Sequence, residues 1–145
     1  LATRTEKVIS IDLDLESVGK SIITTRKLGF NNIEHYKYSI DEYQPDFKFD
    51  KIYCLSVLEH ISSPEIRLKC ITNLLSLLKP DGSLLMTLDI VVSVGKCSYD
   101  FYIDIDHAYE MLSWFGVKDF SFENAMFTEF PSGCKLNVLC LKIQN

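Results

Sequence analysis

Acidic side chains and one histidine stand after apolar runs that have the composition of buried strands. Asp12 directly follows "VISI", Asp41 comes shortly after the run at residues 32–38, and Glu59 and His60 directly follow "IYCLSVL". A carboxylate at a strand end can accept hydrogen bonds from both hydroxyls of a ribose. His60 can act as a general base, because histidine titrates nearest to neutral pH. These residue types are compatible with binding of a ribose and with proton transfer.

Each of these residues also has a structural interpretation. Asp12 can be a solvated acid at a strand end, and Asp41 can be a solvated loop acid. Glu59 and His60 can instead orient the following loop and cap the segment at residues 62–64. The sequence leaves both interpretations open for each residue.

Short apolar strands alternate with amphipathic helices along most of the chain. The apolar runs predict strands at residues 7–12, 32–38, 51–57 and 83–92. The first is predicted to be buried on both faces, because its apolar positions do not alternate with polar ones, and the fourth is almost continuously apolar. Asp14 is the predicted N-cap of the first helix and Gly29 its end, while Pro64 begins the second helix and "KPDG" ends it. This order predicts parallel strands joined by crossover helices.

The pattern changes towards the C-terminus. The segment "DIDHAYEMLSWFGV" predicts a helix capped by Asp104 or Asp106. Strands are predicted at residues 118–126 and 135–143, and their direct connection favours an antiparallel pair. The acids of "DIDH" have the composition of a metal site together with His107, but capping explains them, so we assign no metal.

Composition narrows the class of protein. The chain has 145 residues, 47% of them hydrophobic, which predicts one globular domain with a substantial core. Its formal charge of −5 shows no basic arm and disfavours a nucleic-acid partner. Five cysteines without a CxxC pair favour a reducing, cytoplasmic location. No apolar run has the length of a membrane span, and "LATRTEKV" lacks the apolar centre of a signal peptide.

The order of these motifs resembles that of a known family. "VISIDLD", "FDKIYCLSVLEHI" and "LLSLLKPDGSLLMTLD", followed by a helix ending in "WFGV" and a last strand pair, resemble the class I S-adenosylmethionine-dependent methyltransferases. The resemblance covers nearly the whole chain and is most specific in "VLEHI" followed by "LLKPDGSLLMT". It implies an α/β fold with a Rossmann-like, mostly parallel sheet, helices on both faces and a C-terminal antiparallel hairpin. It also implies S-adenosylmethionine at the carboxyl ends of the strands.

The sequence departs from this family at its beginning. The family's first strand and glycine-rich loop should precede "VISID", yet only six residues precede Lys7. A strand, turn and helix need roughly 25 residues or more, since a whole βαβ unit takes about 30. We therefore expect residues 1–145 to form a single methyltransferase-like domain that is incomplete at its N-terminus.

The resemblance implies roles for individual residues. Asp12 would bind the ribose, Leu13 the adenine face, and Ile40 and Asp41 the adenine edge. The end of the third strand would border the reacting methyl group. The predicted cofactor-binding residues are thus Asp12, Leu13, Ile40, Asp41, Ser56 and Val57.

The acceptor side of the site is predicted separately. His60 is the candidate catalytic base and Glu59 a candidate substrate-binding residue. Tyr99 and Tyr102 lie in an aromatic segment that could cover an acceptor.

These residues lead to one preferred function and two alternatives. The preferred function is S-adenosylmethionine-dependent methyl transfer to an unidentified small molecule, and no oligomeric state is predicted. A nicotinamide-dependent oxidoreductase would share the sheet and Asp12. A non-catalytic methyltransferase-like scaffold would explain the absent glycine loop and the presence of Ser39 where the family often has an acid.

Overall fold

The computed structural model describes residues 4–91, 103–114, 127–129 and 135–144. The chain divides into two compact units, Leu1–Gln44 and Pro45–Asn145. Among the described residues, no helix is both long and apolar enough to cross a membrane.

The first unit is a strand, a helix and a second strand parallel to the first. Its elements are β1 (Val8–Asp12), α1 (Leu15–Lys27) and β2 (Ile33–Lys37). The two strands pair in register from Val8 with Ile33 to Asp12 with Lys37, so their carboxyl ends lie at the same edge. Because parallel strands need a crossover, α1 provides the connection.

Both predicted signals at the ends of α1 are confirmed. The Asp14 carboxylate accepts hydrogen bonds from the backbone N–H groups of Glu16 and Ser17, which would otherwise lack helical partners. Gly29 follows the helix with φ +74°, a left-handed conformation that glycine adopts without steric cost.

Burial in the first unit is weaker than the sequence predicts. The prediction that β1 is buried on both faces is wrong, because the strand is half-buried from Val8 to Ile11 and exposed at Asp12. The described sheet of this unit has only two strands, with one helix connecting them. Val18 of α1 is accordingly the only fully buried residue among those described in this unit.

The second unit contains a five-stranded sheet. Its elements are β3 (Phe49–Leu55), a 3₁₀ turn (Leu58–His60), α2 (Pro64–Ser76), β4 (Leu78–Val91), β5 (Ile103–Asp104), α3 (Ile105–Ser113), β6 (Phe127–Glu129) and β7 (Lys135–Gln144). The strand order is β3-β4-β7-β6, and β5 also pairs with β4. The strands β3 and β5 are parallel to β4, whereas β7 is antiparallel to both β4 and β6. The predicted C-terminal antiparallel hairpin is confirmed, while the strand predicted at residues 118–126 lies outside the described residues.

The predicted turn at "KPDG" is wrong, because these residues belong to β4. The register shifts from Phe49 opposite Leu78 to Lys51 opposite Ser83, so the extra residues form a bulge. A Cβ at Gly82 would come within 3.0 Å of the Lys79 and Phe49 carbonyl oxygens, which explains the glycine. Leu78 therefore lies in β4, and α2 ends at Ser76.

In its C-terminal half, β4 has one face buried in the core and one face that is half-exposed. Side chains at alternate positions are fully buried, namely Leu84, Met86, Leu88 and Ile90. The intervening residues, which include Thr87 and Asp89, are half-buried. The almost continuously apolar sequence of β4 thus forms one buried face and one half-exposed face. Its half-exposed face carries the polar groups that the candidate site uses.

Candidate functional site

The first unit brings four of the predicted cofactor residues to one sheet edge. Asp12 ends β1 opposite Lys37, and the Tyr38 N–H donates to the Asp12 carbonyl oxygen at 3.1 Å. Leu13 is 64% exposed beside this edge. Ile40 and Asp41 follow β2 in a turn and are half-buried. The parallel pairing thus collects residues that are distant in sequence.

The Asp12 carboxylate is exposed and already oriented. Its Oδ1 accepts a hydrogen bond from the Asp14 N–H at 2.8 Å. Among the described residues, none donates a hydrogen bond to Oδ2. A fixed carboxylate with one open oxygen is compatible with a ribose hydroxyl donor. Asp14 itself is used as the helix cap, and its hydrogen bonds from Ser17 hold the pKa of its carboxyl below the usual range.

The turn after β2 holds Asp41 in place. The Ser39 hydroxyl donates to Asp41 Oδ1. The Ser39 carbonyl oxygen accepts from the N–H groups of Glu42 and Tyr43, so the turn is closed on itself. Ser39 is the position at which the resembled family often has an acid. The hydrogen bond places the Asp41 carboxylate beside that position, and its contact with adenine stays a prediction.

In the second unit, Ser56 directly follows β3 in an unusual backbone conformation. Its φ is 49°, which is uncommon for a residue other than glycine. The Ser56 N–H donates to the Thr87 carbonyl oxygen at 3.1 Å and lies 2.9 Å from Thr87 Oγ1. Such backbone strain costs of order 1–3 kcal/mol and often occurs at functional sites. Val57 follows and is 37% exposed.

Glu59 is buried in the 3₁₀ turn and is joined to β4. The residue is 4% exposed, and its Oε1 accepts the Asp89 N–H at 3.1 Å. Its Oε2 is buried and has no hydrogen-bond partner among the described residues. An unpaired buried polar atom costs about 1–3 kcal/mol. Burial raises the pKa of the Glu59 carboxyl, and the Asp89 charge adds to this increase while His60 opposes it.

His60 lies next to this buried acid but is exposed. Its backbone N–H donates to the Val57 carbonyl oxygen at 3.1 Å, which closes the turn. The exposed imidazole can reach a ligand or solvent. Its assignment as a base stays a prediction.

Arg67 is a positioning residue that sequence reasoning missed. It is 6% exposed, and its guanidinium donates to the carbonyl oxygens of Ile61 (2.6 Å) and Ser62 (3.3 Å) and lies 3.7 Å from the Met111 sulfur. Arg67 therefore fixes the loop that follows His60. An arginine four residues before Ile71, on the apolar stripe of α2, was the available signal.

The helix that follows this loop is capped by a residue other than Glu59 or His60, the two considered from the sequence. Ser63 is the N-cap of α2, and its Oγ accepts the Ile66 N–H at 3.3 Å. Glu59 instead bonds to the backbone of β4. The N-terminus of α2 is therefore capped by Ser63, and not by Glu59 or His60 as in the alternative interpretation.

Two predicted substrate residues, Tyr99 and Tyr102, lie outside the described residues. Within the part of the chain that the structure describes, no three His, Cys, Asp or Glu side chains are grouped as metal ligands. Asp106 and His107 are exposed in the first turn of α3.

A sequence profile described as a methyltransferase domain matches residues 1–94, which is more than half of the chain. No curated protein matches the chain in sequence.

Solved structures of methyltransferases have the same fold. N-methyltransferase NodS from Bradyrhizobium japonicum WM9, in complex with S-adenosylhomocysteine, is 17% identical with a TM-score of 0.66, covering 100% of this chain and 69% of that one. The 1,6-didemethyltoxoflavin-N1-methyltransferase of Burkholderia thailandensis, with bound 1,6-didemethyltoxoflavin and S-adenosylhomocysteine, is 14% identical with a TM-score of 0.65, covering 96% and 62%. An rRNA methylase from Streptococcus thermophilus is 16% identical with a TM-score of 0.57, covering 99% and 78%.

Proposed function

This chain belongs to the methyltransferase-domain family, and we propose that it methylates a small-molecule acceptor. The fold is that of the Rossmann-like class I methyltransferases, and the cofactor is S-adenosylmethionine. When bound, this cofactor supplies an activated methyl group for in-line displacement. The residues of the chain then have to bind it, align the acceptor and manage the acceptor's proton.

The observation that carries the proposal is a polar cluster at the carboxyl ends of β3 and β4. We call Ser56, Glu59, Thr87 and Asp89 the strand-end cluster. Ser56 is bonded to Thr87 and Glu59 to Asp89, so the cluster is held together by hydrogen bonds between the two strand ends. Ligands of open α/β sheets bind beyond the carboxyl ends of parallel strands. We propose that Ser56 and Val57 border the methyl group to be transferred.

The residues of the first unit are proposed to bind the adenosine part of the cofactor. Asp12 would accept from ribose hydroxyls, with Leu13, Ile40 and Asp41 at the adenine. The exposed, oriented Asp12 carboxylate supports this assignment. Because the same carboxylate would suit NAD, it supports nucleotide binding more strongly than the choice of cofactor.

A small acceptor is proposed for two reasons. The formal charge of −5 gives no electrostatic attraction to a polyanion. The toxoflavin-precursor enzyme among the similar structures also binds a small molecule. The rRNA methylase of similar fold makes RNA the alternative that an acceptor screen must include.

The proposed role of His60 is to remove a proton from the acceptor when the acceptor atom carries one. Its exposure and its position beside Glu59 support this role.

In the experiment that tests both the function and this role, full-length protein is incubated with methyl-labelled S-adenosylmethionine and a panel of small metabolites and RNA. We expect label in a small molecule, and His60→Ala should lower kcat by about 10²-fold or more while the affinity for S-adenosylhomocysteine changes little.

The matched control for this test is His107→Ala, which changes an exposed histidine on α3. It should leave kcat unchanged. An unchanged kcat in His60→Ala would remove His60 from the mechanism, and label transferred only to RNA would contradict the small acceptor.

We also propose a cytoplasmic location. Among the described cysteines, Cys54 and Cys140 are free thiols, which supports a reducing compartment. Fractionation of cells that express the full-length protein tests this proposal, and recovery in an oxidising compartment would contradict it.

A further inference from the structure

Asp89 stands on the half-exposed face of β4 beside the end of β3. Its carboxylate Oδ1 lies 3.4 Å from the Ser56 hydroxyl oxygen. The Ser56 backbone is in turn held by Thr87, two residues before Asp89 on the same face. Asp89 is therefore next to the residue that we propose at the reacting methyl group.

Glu59 is hydrogen-bonded to the Asp89 backbone, and one of its two carboxyl oxygens lacks a described hydrogen-bond donor. Glu59 Oε1 accepts a hydrogen bond from the Asp89 N–H, so the second oxygen of the same carboxyl group is also close to the Asp89 backbone. That oxygen, Oε2, is buried and has no partner in the described ranges, and the residue as a whole is only 4% exposed. A buried acceptor in this state favours a ligand that brings a hydrogen-bond donor.

Within the described part of the chain, no lysine or arginine forms an ion pair with either acid, and the His60 charge acts on Glu59 only as a minor influence. The described ion pairs join Lys7 with Glu34, Lys20 with Glu16, and Lys79 with Asp50. The buried Arg67 guanidinium is already directed at two backbone carbonyl oxygens and the Met111 sulfur. Neither Glu59 nor Asp89 has a lysine or arginine among these pairs.

We propose that Asp89 and Glu59 form a subsite for a positively charged amino group of the methyl acceptor. This inference rests on the proposed function, because it concerns the acceptor side of the same strand-end cluster. It assigns Asp89 to acceptor recognition and selects cationic amines as the acceptor class.

An ammonium group fits this arrangement better than a hydroxyl group does. It has three donors, so a bond to the Asp89 carboxylate leaves donors for the unpaired, buried Glu59 oxygen, whereas a hydroxyl has one donor. Its charge also compensates Asp89 and the buried Glu59, whose pKa is raised mainly by burial and to a lesser degree by the Asp89 charge. The subsite holds the amino group and leaves open which acceptor atom receives the methyl group.

The test compares two probes in the presence of saturating S-adenosylhomocysteine. Tyramine and tyrosol differ only in the ammonium or hydroxyl group at the end of the ethyl chain. Calorimetry on the full-length protein should show that tyramine binds roughly tenfold more tightly, as expected for a charge-assisted hydrogen bond. Asp89→Asn should reduce this preference to less than about twofold, because the amide retains the shape but not the charge.

Asp81→Asn is the matched control. Asp81 lies on the same strand, at its opposite end, and is exposed. This variant should keep the full preference for tyramine. Glu59→Gln should lower the preference as well, and the partly exposed Asp89 keeps the test valid if the buried substitution does not fold.

The outcomes separate this inference from the proposed function. Equal binding of the two probes, or an unchanged preference in Asp89→Asn, would overturn the subsite while S-adenosylhomocysteine still binds. A loss of S-adenosylhomocysteine affinity in Asp89→Asn as large as the loss for tyramine would assign the charge to the cofactor and overturn the acceptor subsite. Failure of the unchanged protein to bind S-adenosylhomocysteine would instead contradict the proposed function.

Discussion

The carboxyl group of Glu59 shows how one buried residue connects stability with a site. Its burial and the nearby Asp89 raise its pKa, so the charged form is less favourable in the folded protein than in the unfolded chain. The contribution of Glu59 to folding is therefore fully present only below its unfolded pKa of about 4.3, and is lost as pH rises through the higher folded value.

Glu59→Gln should consequently change the pH dependence of stability. The free energy of unfolding of the variant, relative to the unchanged protein, should increase between pH 4 and pH 8. Chemical denaturation at several pH values measures this difference. Glu65→Gln is the control of opposite sign, since the Ser63 hydroxyl lowers the pKa of exposed Glu65. Its relative stability should fall over the same range, and a flat Glu59→Gln difference would contradict the account.

Sequence reasoning located some residues of the site and missed others for a physical reason. Glu59 and His60 could be found because polarity begins abruptly at the end of an apolar run. Asp89 and Thr87 lie inside a run that is otherwise apolar, so its alternation between core and half-exposed faces was hidden. Arg67 was missed because an arginine on an apolar stripe reads as an interruption, although here it donates to loop carbonyl groups.

At the scale of elements, helix α1 and the glycine after it show where local signals suffice. The N-cap Asp14 and the end at Gly29 both follow from residue chemistry within one turn of the chain. By contrast, "KPDG" has the composition of a turn but is part of β4. There, pairing with β3 accommodates the extra residues as a bulge, and local sequence does not contain that information.

Two alanine substitutions at the glycines of this region should have opposite effects. Gly29→Ala forces a side chain into the left-handed region and should lower the free energy of unfolding by about 1–2 kcal/mol. Gly19→Ala, inside α1 with no atom within 4 Å of the added Cβ, should raise it by about 0.5–1 kcal/mol. Thermal and chemical denaturation compare the variants. Destabilisation by Gly19→Ala equal to that of Gly29→Ala would show that backbone conformation is not the cause.

At the scale of the whole molecule, the order of elements predicted the family, and the profile match over residues 1–94 confirms it. The α/β class and the terminal hairpin were predictable because hydrophobic periodicity and the absence of a helix between the last strands both appear in the sequence. The prediction of a single domain over residues 1–145 stays a prediction, and the described chain divides into two compact units. The identity of the acceptor depends on side chains that the fold brings together. The hydrophobic periodicity of the sequence does not show which side chains these are.

The central claim is that this chain uses S-adenosylmethionine and not a nicotinamide cofactor. A calorimetric titration of the full-length protein with S-adenosylhomocysteine and, separately, with NAD tests it most directly. We predict saturable binding of S-adenosylhomocysteine that is weakened by Asp12→Asn, and no saturable binding of NAD. Binding of NAD without binding of S-adenosylhomocysteine would contradict the account.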